Sequence, residues 1–200
     1  MNKLTLANYK KMPWKNGLGI TYEIVQDRLN KDGNHSLDDF GYRISMADVT
    51  SNGAFSLFNH KARLLAVIDG AGMHLNIDKH HDMTVKTFDV IVFDGASEVD
   101  SRLIDGAIRD LNVIYDPQRF DANLQWLARP QTVNSQADTV VVLSLEDDTI
   151  VSIANQTLTL QKYESVIMVK QDSQFNKNFK FHTFDINKPC MLIEVVKLVN

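Results

Sequence analysis

The chain has 200 residues, 44% of them hydrophobic and 23% charged, which is typical of an ordinary globular protein with one large or two small domains. A net charge of -4 at pH 7, without any basic run, argues against nucleic acid as the main partner. A single cysteine excludes an internal disulfide framework, and neither a secretory leader nor an apolar run of about 20 residues is apparent, so we expect a cytoplasmic protein without membrane contact.

Short stretches of alternating apolar and polar residues follow one another along almost the whole chain. A short opening strand is predicted around Leu4, Leu6 and Tyr9. Further strands are predicted over 20–26, 41–49, 55–58, 64–68, 73–77, 85–93, 98–104 and 108–115, and then over 125–127, 139–145, 149–154, 157–160, 165–169, 178–185 and 191–199. Many short strands with Gly and Asp turns indicate an all-β sandwich or barrel.

The stretch 118–125 has no clear period and is predicted to be a short helix or a linker. We place the domain boundary there, which gives an N-terminal barrel of 1–117 with the candidate pocket. The C-terminal barrel, 118–200, is the lesser one, and the pattern leaves open that the two share strands.

The second half resembles a diverged copy of part of the first. Each half contains a strand, a turn, a second strand, a polar turn and an aromatic–acid pair before an apolar strand. These pairs are Phe88-Asp89 and Tyr163-Glu164, which lie 75 residues apart. Because this layout is that of half a cupin jelly roll, two tandem copies predict a bicupin.

Metal and covalent chemistry find little support in the sequence. In the strand where cupins place metal ligands, His74 alternates with Asn76, while the adjacent His80 and His81 would point to opposite faces. Cys190 begins an apolar run and is predicted to be a buried structural thiol. Nucleophile-elbow, phosphate-loop and dinucleotide motifs are absent from the sequence, so we predict neither a metal nor a cofactor.

Polar residues at alternating strand positions of the first half form one candidate pocket. The set consists of Trp14, Lys15 and Asn16 in a Gly-rich turn, Thr21, Glu23, Arg43, Ser45, Asp110 and Asn112 on strands, and Arg63 at the rim. If these faces line a barrel, Lys15 and Arg43 would bind an anion, because arginine grips carboxylates bidentately. The alternatives are an internal salt bridge of Arg43 with Glu23 or Asp110, and a solvated surface position for Arg63.

Several blocks of the first half resemble the HutD/Ves family. They are Pro13-Trp14-Lys15-Asn16-Gly17 with Thr21, Glu23 and Ile24; Tyr42 to Ala47; Gly53 to Phe58 with Arg63; Phe93-Asp94-Gly95; and Asp110 to Val113. The resemblance implies a bicupin associated with histidine utilisation or, in the Ves branch, with environmental stress. In the HutD branch it implies a regulator that binds a small carboxylate, N-formylglutamate being the proposed ligand, in the N-terminal barrel. It attaches no firm catalytic activity.

We therefore expect a metal-free bicupin that binds a small anionic metabolite and acts as a sensor or buffer. Trp14 would form an apolar wall, and Lys15, Arg43 and Arg63 would neutralise the anion. The rival prediction is a metal-independent cupin isomerase or hydrolase with Glu23 or Asp110 as general acid/base. A third is a structural protein whose barrel mouth docks another chain. The sequence leaves a homodimer open.

Overall fold

The structure is a computed structural model, and it describes residues 1–14, 17, 19–28, 39–170 and 182–199. Within these ranges the regular elements are nineteen strands and no helix. They are β1 (Asn2–Leu4), β2 (Lys10–Pro13), β3 (Gly19–Arg28), β4 (Phe40–Val49), β5 (Gly53–Ala54), β6 (Ala62–Asp69), β7 (Met73–Ile77), β8 (His81–Val85), β9 (Val90–Asp94), β10 (Val99–Leu103), β11 (Ile108–Tyr115), β12 (Phe120–Leu127), β13 (Gln131–Ser135), β14 (Thr139–Ser144), β15 (Thr149–Ile153), β16 (Gln156–Leu160), β17 (Ser165–Val169), β18 (His182–Ile186) and β19 (Cys190–Lys197). The prediction of an all-β chain is confirmed.

The prediction of a helix or linker at 118–125 is wrong, because β12 covers most of this stretch. Phe120, Ala122 and Leu124 alternate with polar residues, and the side chains of Phe120 and Leu124 are buried. This two-residue period is that of a strand with one face against a core. The predicted strand over 85–93 is instead interrupted at Phe88, whose φ of 73° belongs to a turn.

The chain forms two compact units, Tyr9–Phe120 and Met1–Asn8 with Asp121–Asn200. In the first unit, one sheet has the order β2-β3-β4-β11-β6-β9 and the other β5-β10-β7-β8. In the second unit the orders are β12-β19-β14-β17-β1 and β13-β18-β15-β16. Four strands of each first-unit sheet thus recur in the same order in the second unit. The tandem duplication predicted from the aromatic–acid pairs is present in the strand order.

The turns at these pairs are equivalent in detail. Phe88 and Tyr163 have φ values of 73° and 67°, and their N–H groups donate to Val67 and Ser144 at 2.7 and 2.8 Å. In each turn the following acid accepts a hydrogen bond at 2.9 Å from the backbone N–H three residues earlier. A positive φ at an aromatic residue is strained, so its occurrence at matching positions of both units supports the duplication.

Each unit has its own hydrophobic core. In the first unit, Ala47, Val49, Leu65 and Val67 of the six-stranded sheet cluster with residues such as Leu75 of the four-stranded sheet. Fully burying one aliphatic side chain contributes about 1.5–3 kcal/mol, so such clusters supply much of the stability of each unit. The inner face of the six-stranded sheet continues beyond this cluster into polar residues, which form the candidate site.

In the ranges given above, the structure contains no helix with the length and hydropathy of a membrane span.

Candidate functional site

The register of the six-stranded sheet brings the predicted polar residues to one face. Three rows cross the sheet: Thr21–Ala47–Asp110–Val67, Glu23–Ser45–Asn112–Leu65 and Arg43–Ile114–Arg63–Phe93. Directly opposed residues project to the same face of a sheet. Because Ala47, Leu65 and Val67 belong to the core, this face is the inner one. Seven of the ten predicted site residues therefore share the inner face: Thr21, Glu23, Arg43, Ser45, Arg63, Asp110 and Asn112.

Arg63 lies in the third of these rows, next to Phe93, and is only 5% exposed. It is therefore not the solvated surface charge that the sequence left open. Its Nε donates to Oδ1 of Asn112 at 2.8 Å, and its Nη2 donates to the same oxygen. The guanidinium carbon lies 4.4 Å from the ring centre of Phe55 and 5.3 Å from that of Phe93. Burial lowers the pKa of Arg63 to about 10, so the side chain stays charged at neutral pH.

Asn112 links this arginine to a buried acid. Its Nδ2 donates to Oδ1 of Asp110 at 2.7 Å, and Asp110 is 1% exposed. Burial raises the pKa of Asp110 to about 7, although the charge of Arg63 and hydrogen bonds from Asn112 and the Ala47 backbone favour the ionised form. The three side chains thus form a linear chain, Arg63–Asn112–Asp110, whose acid changes charge near neutral pH.

Arg43 adds a second cation to the same row. Its guanidinium carbon lies 5.0 and 4.9 Å from the ring centres of Phe40 and Phe58, which contact each other edge to face. The positive charge of Arg43 is one of the causes that lower the pKa of Arg63. The inner face therefore carries two arginines, each against a pair of aromatic rings.

The Trp14 side chain is fixed on the sheet by its neighbours. Its Nε1 donates to Oγ1 of Thr21 at 2.9 Å, and its backbone N–H donates to the Gly19 carbonyl at 2.9 Å. A Cβ at Gly19 would lie 2.8 Å from the indole ring and 2.6 Å from the backbone oxygen of Asp48, so only glycine allows this close approach. The indole ring packs against the core. The polar groups of Trp14 and Thr21 are hydrogen-bonded to each other.

Of the remaining predicted residues, two lie on the inner face and two lie outside the described residues. Ser45 is buried and Glu23 is half-buried, and they lie opposite each other on β4 and β3. Lys15 and Asn16 fall outside the described residues, so the cation and amide predicted from the Gly-rich turn stay predictions. In the part of the chain that the structure describes, no three His, Cys, Asp or Glu residues form a group that could hold a metal ion.

Phe55 and Phe93 are members of the site that sequence reasoning did not select. Phe93 pairs directly with Arg63 across β6 and β9, and both rings pack against the core. The sequence pattern alone does not show that Phe93 lies on the inner face, because this depends on the register between β6 and β9. A cleft of about 510 Å³ lies near Phe93 but beside β9, next to Val92 and Asp94, and is not lined by the polar chain.

The second unit holds apolar residues where the first has the polar chain. Phe93 of β9 corresponds to Met168 of β17 through the repeat of 75 residues, and the strand partners fix the other positions. The corresponding pairs are Arg63 and Val140, Asn112 and Leu192, and Asp110 and Cys190. All three second-unit residues belong to its hydrophobic core cluster. Since one unit forms with apolar residues there, the architecture does not require the polar chain.

Comparison with known proteins places these features in context. The family model described as HutD matches residues 6–183. A Pseudomonas putida protein described as an uncharacterized 21.2 kDa protein in the hutC 3′ region is 40% identical over 153 residues, 76% of this chain and 78% of that protein. The protein Ves of Citrobacter koseri is 31% identical over 140 residues, 68% of this chain and 70% of that protein. The structure of HutD from Pseudomonas fluorescens SBW25 is similar with a TM-score of 0.80, 34% identity and 99% of both chains covered.

A structure from outside these relatives has a similar fold. A cupin 2 conserved barrel domain protein from Leptotrichia buccalis matches with a TM-score of 0.54 at 8% identity, covering 98% of both chains. At this identity the similarity concerns the fold alone. The prediction of a cupin-like fold is confirmed.

Proposed function

The chain belongs to the HutD family, and from this premise we propose that the inner face of its first unit binds a small carboxylate through Arg63. The observation that carries the proposal is the contrast between the two units. The first buries Arg63, Asn112 and Asp110 where the second has apolar core residues. Buried polar and charged groups cost stability relative to apolar ones, so their presence in one copy only points to a role in binding.

The hydrogen bonds of Arg63 leave room for an anion. Nε and Nη2 both donate to one neutral amide oxygen, and among the described residues no carboxylate lies within ion-pair distance. Asp110 is the acid whose charge raises the pKa of Arg63, and Asn112 lies between the two side chains. A ligand carboxylate would supply the missing negative charge and accept charge-assisted hydrogen bonds from the remaining nitrogen, Nη1.

The surroundings of Arg63 favour a ligand with two acidic groups on a short body. Arg43 and Arg63 lie in one row on β4 and β6 with β11 between them, so their backbones are about 10 Å apart at about 4.8 Å per strand. Phe55 and Phe93 provide apolar walls at Arg63. N-formylglutamate, which the family resemblance implied, is a dicarboxylate of suitable size. The names of the HutD and hutC-region relatives support the context of histidine utilisation that the family resemblance implied. In that context a protein that binds such a ligand would serve as a sensor or buffer.

A thermal-shift titration with N-formylglutamate, glutarate and acetate tests the proposal. At a ligand concentration a hundred times Kd, binding adds about 2.7 kcal/mol to the free energy of unfolding. For a chain of this size, that raises the melting temperature by about 5–10 °C. Arg63→Met should abolish the shift, whereas Arg109→Met, which changes an arginine on the opposite face, should keep it. An Arg63→Met variant that retains the full shift would show that the site lies elsewhere.

A second candidate function is an enzyme that acts on the same carboxylate. The observation in its favour is Asp110, because a general acid or base works best with a pKa near the operating pH, and burial raises the pKa of this acid to about 7. Mass spectrometry of stabilising ligands after prolonged incubation would detect turnover. If turnover occurs, Asp110→Asn should abolish it and leave a ligand-induced thermal shift. Unchanged ligand would favour the binding protein.

A further inference from the structure

Strand β9 forms an open edge of the six-stranded sheet. It pairs with β6 on one side, and within the described residues no strand pairs with its other side. Its sequence from Val90 to Phe93 consists of strong strand formers, and Val92 is 65% exposed. An exposed apolar edge of this kind readily pairs with another strand.

The second unit shows how the equivalent edge is covered. There β17 corresponds to β9, and its outer side pairs antiparallel with β1. Lys3 of β1 lies opposite Val166, which is fully buried. The equivalent of Val166 in β9 is Ile91, which is only half-buried. Among the strands that the structure describes, the same edge is thus paired in one unit and unpaired in the other.

An acid at the start of the strand fixes the added strand in the second unit. Nζ of Lys3 lies 2.6 Å from Oε2 of Glu164 and donates to the Thr159 carbonyl at 2.7 Å. In the first unit, Asp89 takes the place of Glu164 in a turn with the same backbone hydrogen bond. Asp89 is exposed, so the first unit offers the same acidic anchor at its open edge.

We propose that β9 accepts an added antiparallel strand from a partner protein, an extended segment in which a lysine precedes an apolar residue. In the register of β1 on β17, the lysine would lie opposite Ile91 and pair with Asp89, and the apolar residue after it would lie opposite Val90, on the same face of the sheet as Val92. The cleft of about 510 Å³ beside β9 gives space for the side chains of such a segment. Strand addition of this kind draws its affinity from backbone hydrogen bonds and its specificity from alternate side chains.

Charge favours a different chain over a second copy of this one. Asp89 and Asp94 lie at opposite ends of β9. If two copies of β9 paired antiparallel, Asp94 of each would lie beside Asp89 of the other. Like charges at such cross-strand positions are destabilising, whereas a lysine in the added strand is attracted.

A titration of the ¹⁵N-labelled full-length protein with a peptide of residues 1–8 of this chain tests the proposal, because these residues include β1. The expected result is a shift of the amide signals of Val90–Asp94. Asp89→Asn keeps an oxygen for the Lys86 N–H but removes the charge, and should weaken the peptide about two- to fivefold, the effect of losing one partly exposed ion pair. Asp105→Asn, at an exposed turn, should leave the affinity unchanged.

Three results would overturn the proposal. The amide signals of β9 could stay unshifted, with the peptide shifting only those of β17 or none at all. The affinity could be equal in Asp89→Asn and in the unchanged protein. The β9 signals could broaden with protein concentration in the absence of peptide, which would assign the edge to a second copy.

Discussion

Asp110→Asn should change how stability depends on pH. Burial raises the pKa of Asp110 from 3.8 to about 7 in the folded protein. The folded state therefore binds a proton that the unfolded state has already released between about pH 4 and 7. Stability from this group is fully present below pH 4 and is lost as the pH rises to about 7. At about 1.4 kcal/mol per pKa unit, the loss amounts to about 4 kcal/mol.

The asparagine variant lacks this titration, so its free energy of unfolding relative to the unchanged protein should rise by up to about 4 kcal/mol between pH 4 and 8. Urea unfolding of both proteins across this range measures the difference. Asp105→Asn is the matched control, because it makes the same substitution at an exposed position in a turn. A ¹³C titration of the Asp110 carboxyl locates its pKa directly. A midpoint near 4, together with a difference that does not vary with pH, would refute the reasoning.

Three further predictions concern the first unit and the cysteine. The affinity for a carboxylate ligand should fall up to tenfold per pH unit above about pH 7, because ionised Asp110 repels the ligand. Calorimetric titrations measure this fall, and the Asp110→Asn variant should not show it. Gly19→Ala should destabilise the protein by about 1–3 kcal/mol in thermal melts, because the added Cβ would lie 2.6 Å from a backbone oxygen. The control is Gly53→Ala, where the added Cβ would meet nothing within 4 Å. Cys190 should react with a thiol reagent only on unfolding, since burial raises its pKa to about 12; rapid labelling of the folded protein would contradict this.

The sequence was sufficient for the fold class because two periods were visible in it. Alternation predicted most strands, and the aromatic–acid pairs at Phe88 and Tyr163 revealed the duplication. The alternation of Phe120, Ala122 and Leu124 was also visible but was missed, since the polar residues between them resemble a linker. The break at Phe88 could not be read from the sequence, because an aromatic residue with a positive φ gives no local signal.

The candidate site was predicted less completely than the fold. Alternation within one strand shows that Asp110 and Asn112 share a face, but not which residues of other strands join them. That information lies in the register between β11 and β6, which pairs Asn112 with Leu65 and so places Arg63 in the neighbouring row, diagonal to Asn112. For this reason Arg63 was predicted at the rim, whereas the structure buries it at one end of the polar chain, against Asn112. The aromatic walls of Phe55 and Phe93 were missed for the same reason.

The contrast between the two units gives a last prediction, on the cost of the polar chain. Asn112→Leu alone should destabilise the protein by about 3–5 kcal/mol, because it leaves Arg63 and Asp110 buried without the amide that joins them. Adding Arg63→Met and Asp110→Cys makes the site apolar, as it is in the second unit, and should recover most of that loss, since apolar replacement of a whole buried polar network is often neutral or stabilising. Urea unfolding at pH 7 of the single and triple variants measures both effects. If the triple variant were as unstable as the single one, the polar chain would be required by the architecture of the first unit, and the inference that it is kept for binding would fail.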